Sequence, residues 1–363
     1  MEFKPEVIYV EEGAEKYPLA REILRRLPNV PVIRNADALA ALEKIKSAST
    51  DVFGAAKRQL LLARFKGSFL KKCPGISPGM VCCNYYIVNL MSNCIYDCSY
   101  CVLQDYLENN PVLTAFVNVE DLLAELDAVF AANPNRKYRV GTGEAADSLA
   151  LDSVIPHSDF LIPFFNKRKN AALELKTKSA RVENLLKYGG TKNVIISWSI
   201  NPREIVEQEE KHTARLEERL EAARLCQNQG YRIGFHFDPV ILYPGWEQAY
   251  EELVDQVFRK IQPSQIEWIS LGGFRYRPNL KKVIKERHPH TRLFNSEHVS
   301  CEDGKFRYLR PLRNRAYETL RGYLKKYSND LNVYFCMETK EIWRDVTGKH
   351  PRSDKKLDEF FDL

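Results

Sequence analysis

Apolar residues in the first 70 positions fall into short runs separated by segments with helical spacing. Residues 7–10 and 30–33 are apolar segments of strand length. In residues 17–27 leucine and isoleucine recur at helical spacing, and the pattern stops before Pro28; residues 37–45 suit a second helix. The order strand, helix, strand, helix predicts a small N-terminal α/β domain, which we place at residues 1–78.

From residue 79 the pattern becomes a repeat of strand, loop and helix. Strands that alternate with helices predict a parallel sheet with right-handed crossovers. The repeat predicts an α/β fold with a partial (β/α)6 TIM-type barrel at residues 79–275, in which functional side chains lie where the strands end. The predicted strands are 85–90, 138–140, 172–175, 194–198, 233–237 and 266–271, and the predicted helices are 119–132, 207–229 and 247–261.

After Gly272 and Gly273 the repeat breaks down, and residues 276–363 are expected to form a C-terminal extension. Asp303-Gly304 between apolar and aromatic flanks predicts a hairpin near residues 298–308. Residues 274–327 hold fifteen Lys or Arg and five Asp or Glu, so they carry +10 in a chain of net charge +6. This asymmetry indicates either a polyanionic partner or a solvated basic face.

Composition excludes two broad classes of protein. Hydrophobic residues make up 44% of the 363 positions and charged residues 28%, which is typical of a globular chain and not of a disordered one. No apolar run approaches the length of a membrane span, and the first residues lack the basic and apolar regions of a secretory signal. We therefore expect a cytoplasmic protein, in which nine cysteines indicate metal or cluster binding before disulfides.

Three cysteines crowd into eight residues and are the strongest chemical signal. Cys94, Cys98 and Cys101 have the spacing C-x3-C-x2-C. Three thiolates this close can hold three irons of a [4Fe–4S] cluster and leave the fourth iron without a protein ligand. The alternative is a structural zinc site with Cys82 or Cys83 as fourth ligand, but such sites usually show a second C-x2-C pair, which this chain lacks.

This spacing, on a loop after the first barrel strand, resembles the radical S-adenosylmethionine (SAM) superfamily. The resemblance implies that the methionine end of SAM chelates the open iron and that one electron from the cluster cleaves SAM to a 5′-deoxyadenosyl radical, with an external one-electron reductant as partner. It also implies that Tyr100 packs near the adenine. The turn that binds the SAM amino group would be Gly141, Thr142, Gly143 and Glu144.

Several further segments resemble the spore photoproduct lyase family over roughly residues 6–336. The resemblance implies repair of a methylene-bridged thymine dimer in DNA by a radical SAM lyase, with a hairpin that contacts the lesion DNA. Lys178, Ser199 and Asn201 would lie at the SAM, and the basic hairpin region would bind DNA through Lys305, Arg307, Arg310 and Arg313. The segments that carry the resemblance are 17–19, 101–104, 177–178, 199–201, 216–223 and 245–250.

Two residues depart from the family pattern. Val102 stands where the family has Tyr, and Glu144 stands where the family has a cysteine that donates hydrogen. A carboxyl O–H bond is too strong to quench a carbon radical, so another donor is needed or the chemistry differs. Cys336, expected after a late strand, is the candidate donor, and its alternative role is that of a small buried hydrophobe.

These departures keep two other functions open. The same cofactor chemistry could act on a modified nucleotide, an RNA or a protein side chain. The chain could also be a nucleic-acid-binding protein with a structural or sensing cluster.

Four further polar residues lie at strand ends or after the glycine-rich turn. His236 and Asp238 end a strand and are either functional or hydrogen-bonded inside the barrel, whereas Asp147 and Asp152 are expected in turns or caps. A monomer is favoured.

Overall fold

Two sheets built mainly from parallel strands organise the chain. The computed structural model describes residues 3–75, 77, 79–81 and 83–349. Its strands are β1 Val7–Val10, β2 Val32–Arg34, β3 Gln59–Ala63, β4 Leu70–Lys72, β5 Met80–Val81, β6 Tyr86–Val88, β7 Met91–Ser92, β8 Asp97–Cys98, β9 Leu113–Phe116, β10 Tyr138–Gly141, β11 Ala171–Thr177, β12 Val194–Ser199, β13 Glu210–Lys211, β14 Arg232–Val240, β15 Ile266–Gly273, β16 Arg275–Tyr276, β17 His298–Ser300, β18 Phe306–Tyr308, β19 Val333–Phe335 and β20 Glu338–Thr339.

The helices connect these strands and cover the sheets. They are α1 Pro18–Arg26, α2 Ala38–Ala48, α3 Val52–Ala56, α4 Leu103–Tyr106, α5 Val119–Ala132, α6 Ser158–Phe165, α7 Arg203–Glu209, α8 Leu216–Asn228, α9 Trp246–Lys260, α10 Pro278–Arg287, α11 Arg310–Lys325 and α12 Lys340–Thr347. Short 3-10 turns lie at Ala14–Lys16, Leu185–Lys187 and Pro263–Gln265.

The first sheet has the strand order β2-β1-β3-β9-β7, and only β7 is antiparallel to its neighbour. Its last two strands come from beyond residue 78, so the expected domain boundary between residues 78 and 79 does not separate the two sheets. β7 immediately precedes the cysteine segment and β9 follows it. Both flanking strands pair inside the first sheet. This sheet with helices α1 to α3, called the N-terminal unit here, therefore anchors both ends of the cysteine loop, residues 93–112.

The second sheet has the order β19-β15-β14-β12-β11-β10-β6-β4. All its pairs are parallel except the one between β4 and β6. Helices α6 and α8 pack against its central strands, and Trp198 and Trp268 are fully buried in its core. The sheet curls into a half-barrel, which confirms the predicted α/β class and partial TIM-type barrel and brings the carboxyl ends of the strands together.

The helix expected at residues 207–229 is wrong in one respect, because the structure divides this segment. α7 ends at Glu209, β13 follows, and α8 begins at Leu216. Glu210 and Lys211 leave the helix because they pair antiparallel with Cys98 and Asp97 of β8. A tertiary contact with the cysteine loop therefore outweighs the local preference for a continuous helix.

The C-terminal region forms a small antiparallel sheet of three strands, separate from the two larger sheets. β17 and β18 are the two arms of the predicted hairpin, and β16 pairs with the other edge of β18. Gly304 adopts a positive φ of 74°, which the turn between the arms requires and which glycine tolerates best. Among the residues that the structure describes, no helix is long and apolar enough to cross a bilayer.

Candidate active site

A cavity of about 150 Å³ lies at the carboxyl ends of β10, β11, β12 and β14. The cysteine loop forms one of its walls, and the ends of the barrel strands form the others. Its lining consists of Cys94, Tyr96, Cys98, Tyr100, Cys101, Val102, Leu103, Gly143, Glu144, Ala146, Asp147, Lys176, Thr177, Lys178, Ser199 and Asp238. All three cysteines of the C-x3-C-x2-C segment therefore line one cavity.

The cysteine loop is held from two sides. On the barrel side, β8 pairs with β13, and the backbone N–H of Ser99 donates to the Glu209 carbonyl at 2.8 Å. On the side of the N-terminal unit, the Lys57 ammonium donates to the Cys94 carbonyl at 2.9 Å. The same ammonium lies 3.7 Å from the Asp97 carboxylate. These contacts fix the backbone that presents the thiols.

The protein environment alone keeps two of these thiols protonated. Burial raises the pKa of Cys94 to about 12, and the nearby Asp147 charge adds to this effect. Burial also raises the pKa of Cys98 well above its usual range. A thiophilic metal centre would displace these protons and compensate the thiolate charge.

The donor set does not resemble a site for a single ion. No three His, Cys, Asp or Glu side chains among the described residues are arranged around one metal position. Cys83 does not line the cavity, and Cys82 lies outside the described residues. The zinc alternative therefore gains no fourth ligand from Cys83, whereas an iron–sulfur cluster takes one thiolate on each of three separate irons.

A buried carboxylate positions Tyr100 at the cavity. Glu210 accepts a hydrogen bond from the Tyr100 hydroxyl, and the Arg219 guanidinium lies 2.6 Å from its second oxygen. The Asn201 amide donates to Glu210 at 3.0 Å. Asn201 was expected at the SAM, but it does not line the cavity because Glu210 and the Tyr250 hydroxyl occupy its amide group.

The Gly-Thr-Gly-Glu turn divides into two parts. Gly143 and Glu144 line the cavity, whereas Gly141 and Thr142 do not. A Cβ at Gly141 would lie 1.6 Å from the Tyr85 hydroxyl, so this glycine leaves room for a tyrosine inside the barrel. The Thr142 hydroxyl donates to Ser148 at 2.7 Å.

Asp147 organises the opposite wall and lies in a turn, one of the two roles expected of it. Its carboxylate accepts from the Thr177 hydroxyl and from the Lys178 backbone N–H, both at 2.6 Å. It also accepts from the backbone N–H groups of Leu149 and Ala150. These bonds hold Lys178 in place, and its ammonium lies 5.6 Å from the centre of the Tyr100 ring.

Comparisons with known proteins show the family to which this chain belongs. A family profile described as spore photoproduct lyase matches residues 3–335. The chain belongs to the spore photoproduct lyase family. A spore photoproduct lyase from Geobacillus sp. is 23% identical over 351 residues, covering 92% of this chain and 98% of that protein. One from Clostridium acetobutylicum is 24% identical over 341 residues, covering 92% and 96%.

Solved structures of this family have the same fold. Spore photoproduct lyase complexed with dinucleoside spore photoproduct aligns with a TM-score of 0.81 at 23% identity, over 92% of this chain and all of that one. A mutant spore photoproduct lyase with bound AdoMet and dinucleoside spore photoproduct aligns with a TM-score of 0.80 at 22% identity, over 93% of this chain and all of that one.

Sequence reasoning missed several charged residues beside the cavity of this spore photoproduct lyase family member. Lys176 lines it, and Arg275 donates to the Asp238 carboxylate at 2.9 Å and to the Cys336 sulfur at 3.7 Å. Burial works to raise the pKa of Asp238, but Arg275 outweighs it and the pKa falls below its usual range. The position of Arg275 directly after a barrel strand was the signal in the sequence that could have identified it as a site residue. Many other basic residues follow in the same segment, so Arg275 did not stand out.

The Glu144 carboxyl group lies close to several of these positive charges. Burial raises the pKa of its carboxyl although Lys176, Arg275 and Lys305 oppose the shift. Cys336 does not itself line the cavity, but Arg275 links it to Asp238, which does. The structure thus brings the expected site residue Glu144 and the candidate donor Cys336 to the same side of the barrel mouth.

His236 lies inside the barrel and below the cavity. Its two ring nitrogens contact the Ser270 hydroxyl at 2.6 Å and the Glu174 carboxylate at 2.7 Å. Glu174 also accepts from Ser197 and lies 3.3 Å from the Arg139 guanidinium. Of the two alternatives for His236, the structure favours the hydrogen bond inside the barrel.

Two of the four basic residues expected at DNA face inward. Arg307 donates two hydrogen bonds to Asp303, at 2.6 and 2.7 Å, and Arg313 lies 2.5 Å from the Glu338 carboxylate. The Arg307 and Arg313 side chains are 1% and 7% exposed, and their partners in this structure are buried carboxylates.

The other two basic residues are more accessible or lie nearer the cavity. Arg310 is half exposed and pairs with Asp345 at 2.6 Å. Lys305 is largely buried, lies 3.7 Å from Asp303, and its charge acts on Glu144. Lys305 therefore faces the cavity side of the hairpin and Arg310 faces solvent.

Proposed function

We propose that this chain is a radical SAM enzyme that cleaves a spore-photoproduct-type thymine dimer in DNA. One observation carries the proposal: in a member of the spore photoproduct lyase family, three cysteine thiols share one cavity with Gly143, Lys178 and Ser199. The proposed cluster ligands are Cys94, Cys98 and Cys101. DNA that carries the lesion is the proposed partner, with an external one-electron reductant, and we propose a cytoplasmic monomer.

The residues at the cavity suit the two groups that this chemistry requires. Three thiols that line one cavity fit a [4Fe–4S] cluster with one open iron. Lys178 offers a positive charge for the carboxylate of the SAM methionine moiety, and Tyr100 offers an aromatic face for the adenine. When bound, SAM and the cluster supply a 5′-deoxyadenosyl radical that abstracts hydrogen.

The protein's own contribution is the positioning of the residues that line the cavity. Glu210 and Arg219, both fully buried, hold the Tyr100 ring, and Asp147 holds the backbone of Lys178. Because these supports lie within secondary structure or next to it, the walls of the cavity are set before substrate binds.

Return of hydrogen to the product requires a weak X–H bond, and we propose the Cys336 thiol. Its sulfur accepts a hydrogen bond from Arg275, which also holds Asp238 at the cavity. The Cys336→Ala variant should still form 5′-deoxyadenosine but yield much less repaired thymine. An unchanged ratio of thymine to deoxyadenosine would exclude Cys336 as the donor.

The carboxyl group of Glu144 favours a second candidate, the same cofactor chemistry on a different substrate. It lines the cavity where the family resemblance implies a thiol. A modified nucleotide, an RNA or a protein side chain would then replace the DNA lesion. A lesion-dependent assay separates the two candidates.

Cluster binding is tested by anaerobic reconstitution of wild type, Cys98→Ala and Cys301→Ala. We expect about four irons and four sulfides per wild-type chain and per Cys301→Ala chain, because Cys301 lies in the hairpin region away from the cavity. Cys98→Ala should lose the brown chromophore and SAM cleavage. Full iron content and SAM cleavage in Cys98→Ala would contradict the proposed ligand set.

A further inference from the structure

An exposed aromatic ring stands at the lip of the cavity. Tyr106 is 45% exposed, which is unusual for a large hydrophobic side chain in this protein. It ends α4, and its backbone N–H donates to the Val102 carbonyl at 3.1 Å. Val102 and Leu103 line the cavity, so Tyr106 lies one helical turn beyond the cavity wall.

Charges at the mouth surround this ring. Glu144 and Arg275 are close enough to influence the Tyr106 hydroxyl electrostatically. The Arg277 guanidinium lies 5.8 Å from the centre of the Tyr106 ring, and its side chain is 56% exposed. Tyr106 and Arg277 therefore form an aromatic and cationic pair that opens to solvent beside the cavity.

Contacts between α4 and α10 hold the Tyr106–Arg277 pair in place. Arg277 lies 3.6 Å from the Asp105 carboxylate. The Asn279 amide at the start of α10 donates to the same residue at 2.7 Å. These contacts join α4 to α10. Because the two connected helices already hold the Tyr106 ring, a ligand that stacks on the ring loses little free energy to the ordering of the protein.

We propose that Tyr106 stacks on the nucleobase next to the lesion when the lesion enters the cavity, and that Arg277 contacts a neighbouring phosphate. This proposal rests on the proposed function. A base extruded from a duplex leaves its neighbours partly unstacked, and an aromatic face at the cavity lip replaces the lost stacking. Arg277 is available to solvent, unlike Arg307 and Arg313, which are buried against carboxylates.

The proposal is tested with duplex DNA that contains one spore photoproduct and with the isolated lesion dinucleotide. Reconstituted wild type, Tyr106→Ala, Tyr106→Phe and Tyr327→Ala are compared. Tyr327 is a control of similar exposure, 40%, that stacks on Phe258 away from the cavity. The dissociation constants are measured by anisotropy, and 2-aminopurine beside the lesion reports base stacking.

We expect Tyr106→Ala to bind the lesion duplex about tenfold more weakly, with brighter 2-aminopurine and unchanged affinity for the dinucleotide. Tyr106→Phe and Tyr327→Ala should behave like wild type, because the ring and not the hydroxyl stacks. The logarithm of the association constant falls as the logarithm of the salt concentration rises. Arg277→Gln should make this negative slope shallower by about one, because one phosphate contact is lost.

Two results would overturn the proposal. The first is that Tyr106→Ala binds the lesion duplex as tightly as wild type. The second is that its affinity for the dinucleotide falls by the same factor as its affinity for the duplex, which would place Tyr106 in the lesion pocket. Failure of the proposed function has a different signature, because wild type itself would then show no preference for lesion DNA over undamaged DNA.

Discussion

Individual arginines in this chain take up positions that their sequence context does not reveal. Several are nearly or fully buried, and each lies beside a carboxylate that is also buried. Part of the +10 charge of residues 274–327 is therefore compensated inside the protein. The buried pairs are Arg139 with Glu174, Arg219 with Glu210, Arg307 with Asp303, and Arg313 with Glu338.

Arg307 is therefore expected to act on stability and not primarily on DNA affinity. Arg307→Ala leaves the Asp303 carboxylate buried without its guanidinium, which should lower the free energy of unfolding by about 3 kcal/mol. Urea denaturation followed by circular dichroism measures this change. Arg315→Ala is the control, because Arg315 is 67% exposed and its pair with Glu247 should contribute below about 1 kcal/mol. Equal losses in both variants would contradict the buried-pair assignment.

His157 should make stability depend on pH. Burial lowers the pKa of His157 from 6.5 to about 4, and a hydrogen bond with the Phe116 backbone offsets only part of this shift. Between these values the unfolded chain binds a proton that the folded chain does not, so stability falls as the pH falls. Lowering the pH from 7 to 5 should remove about 2 kcal/mol through this residue.

Urea unfolding of wild type and His157→Gln at both pH values measures this contribution. The loss of stability between pH 7 and pH 5 should be smaller in the variant by that amount. Parallel losses in the two proteins would show that His157 does not account for the effect.

At the scale of elements, the cysteine loop depends on contacts from both sheets. β13 holds it from the barrel side, and Lys57, which follows α3, holds it from the N-terminal unit. The N-terminal unit therefore supports the candidate site although none of its residues before β4 lines the cavity. A spacing motif supplies the thiols, and these distant contacts hold the loop that carries them.

Lys57→Met is expected to weaken cluster retention without unfolding the chain. The Lys57 side chain is 8% exposed and contacts the Cys94 carbonyl and Asp97, so its loss should loosen the loop. Support groups of this kind typically change metal affinity by about tenfold or more. Iron release to a chelator measures the effect, with Lys46→Met, on the exposed face of α2, as the control. Equal release rates in the two variants would exclude this role.

Local patterns predicted most elements, since helical spacing and apolar runs are properties of neighbouring residues. The helix at Val119–Ala132 and the hairpin at β17 and β18 show this. The break between α7 and α8 escaped prediction because β13 forms through pairing with β8, more than 100 residues earlier. Likewise, nothing near β9 in sequence indicates that it belongs to the first sheet.

The same division applies to the candidate site. The cysteine spacing and the Gly-Thr-Gly-Glu turn are local and were recognisable. All three cysteines, Gly143 and Glu144 line the cavity, whereas Gly141 and Thr142 do not. Arg275 escaped prediction because its role comes from Asp238 and Cys336, which only the closed fold brings to it.

At the scale of the whole molecule, the curled second sheet brings the ends of β10 and β14, which lie almost 100 residues apart in sequence, to one cavity. The first sheet anchors the cysteine loop against this cavity, and the C-terminal hairpin brings Lys305 towards its mouth. The architecture places candidate cofactor-binding residues, a candidate hydrogen donor and a candidate DNA surface on one side of the barrel.

The most direct test of the central claim is one anaerobic assay of the reconstituted protein. It contains SAM, dithionite and DNA with or without the spore photoproduct, and it quantifies 5′-deoxyadenosine and restored thymine dinucleotide. We expect both products, with thymine restored only from lesion DNA and neither product formed by Cys98→Ala. Deoxyadenosine without repair would direct the chemistry to another substrate, and a fully loaded cluster that forms no deoxyadenosine would contradict a radical SAM enzyme.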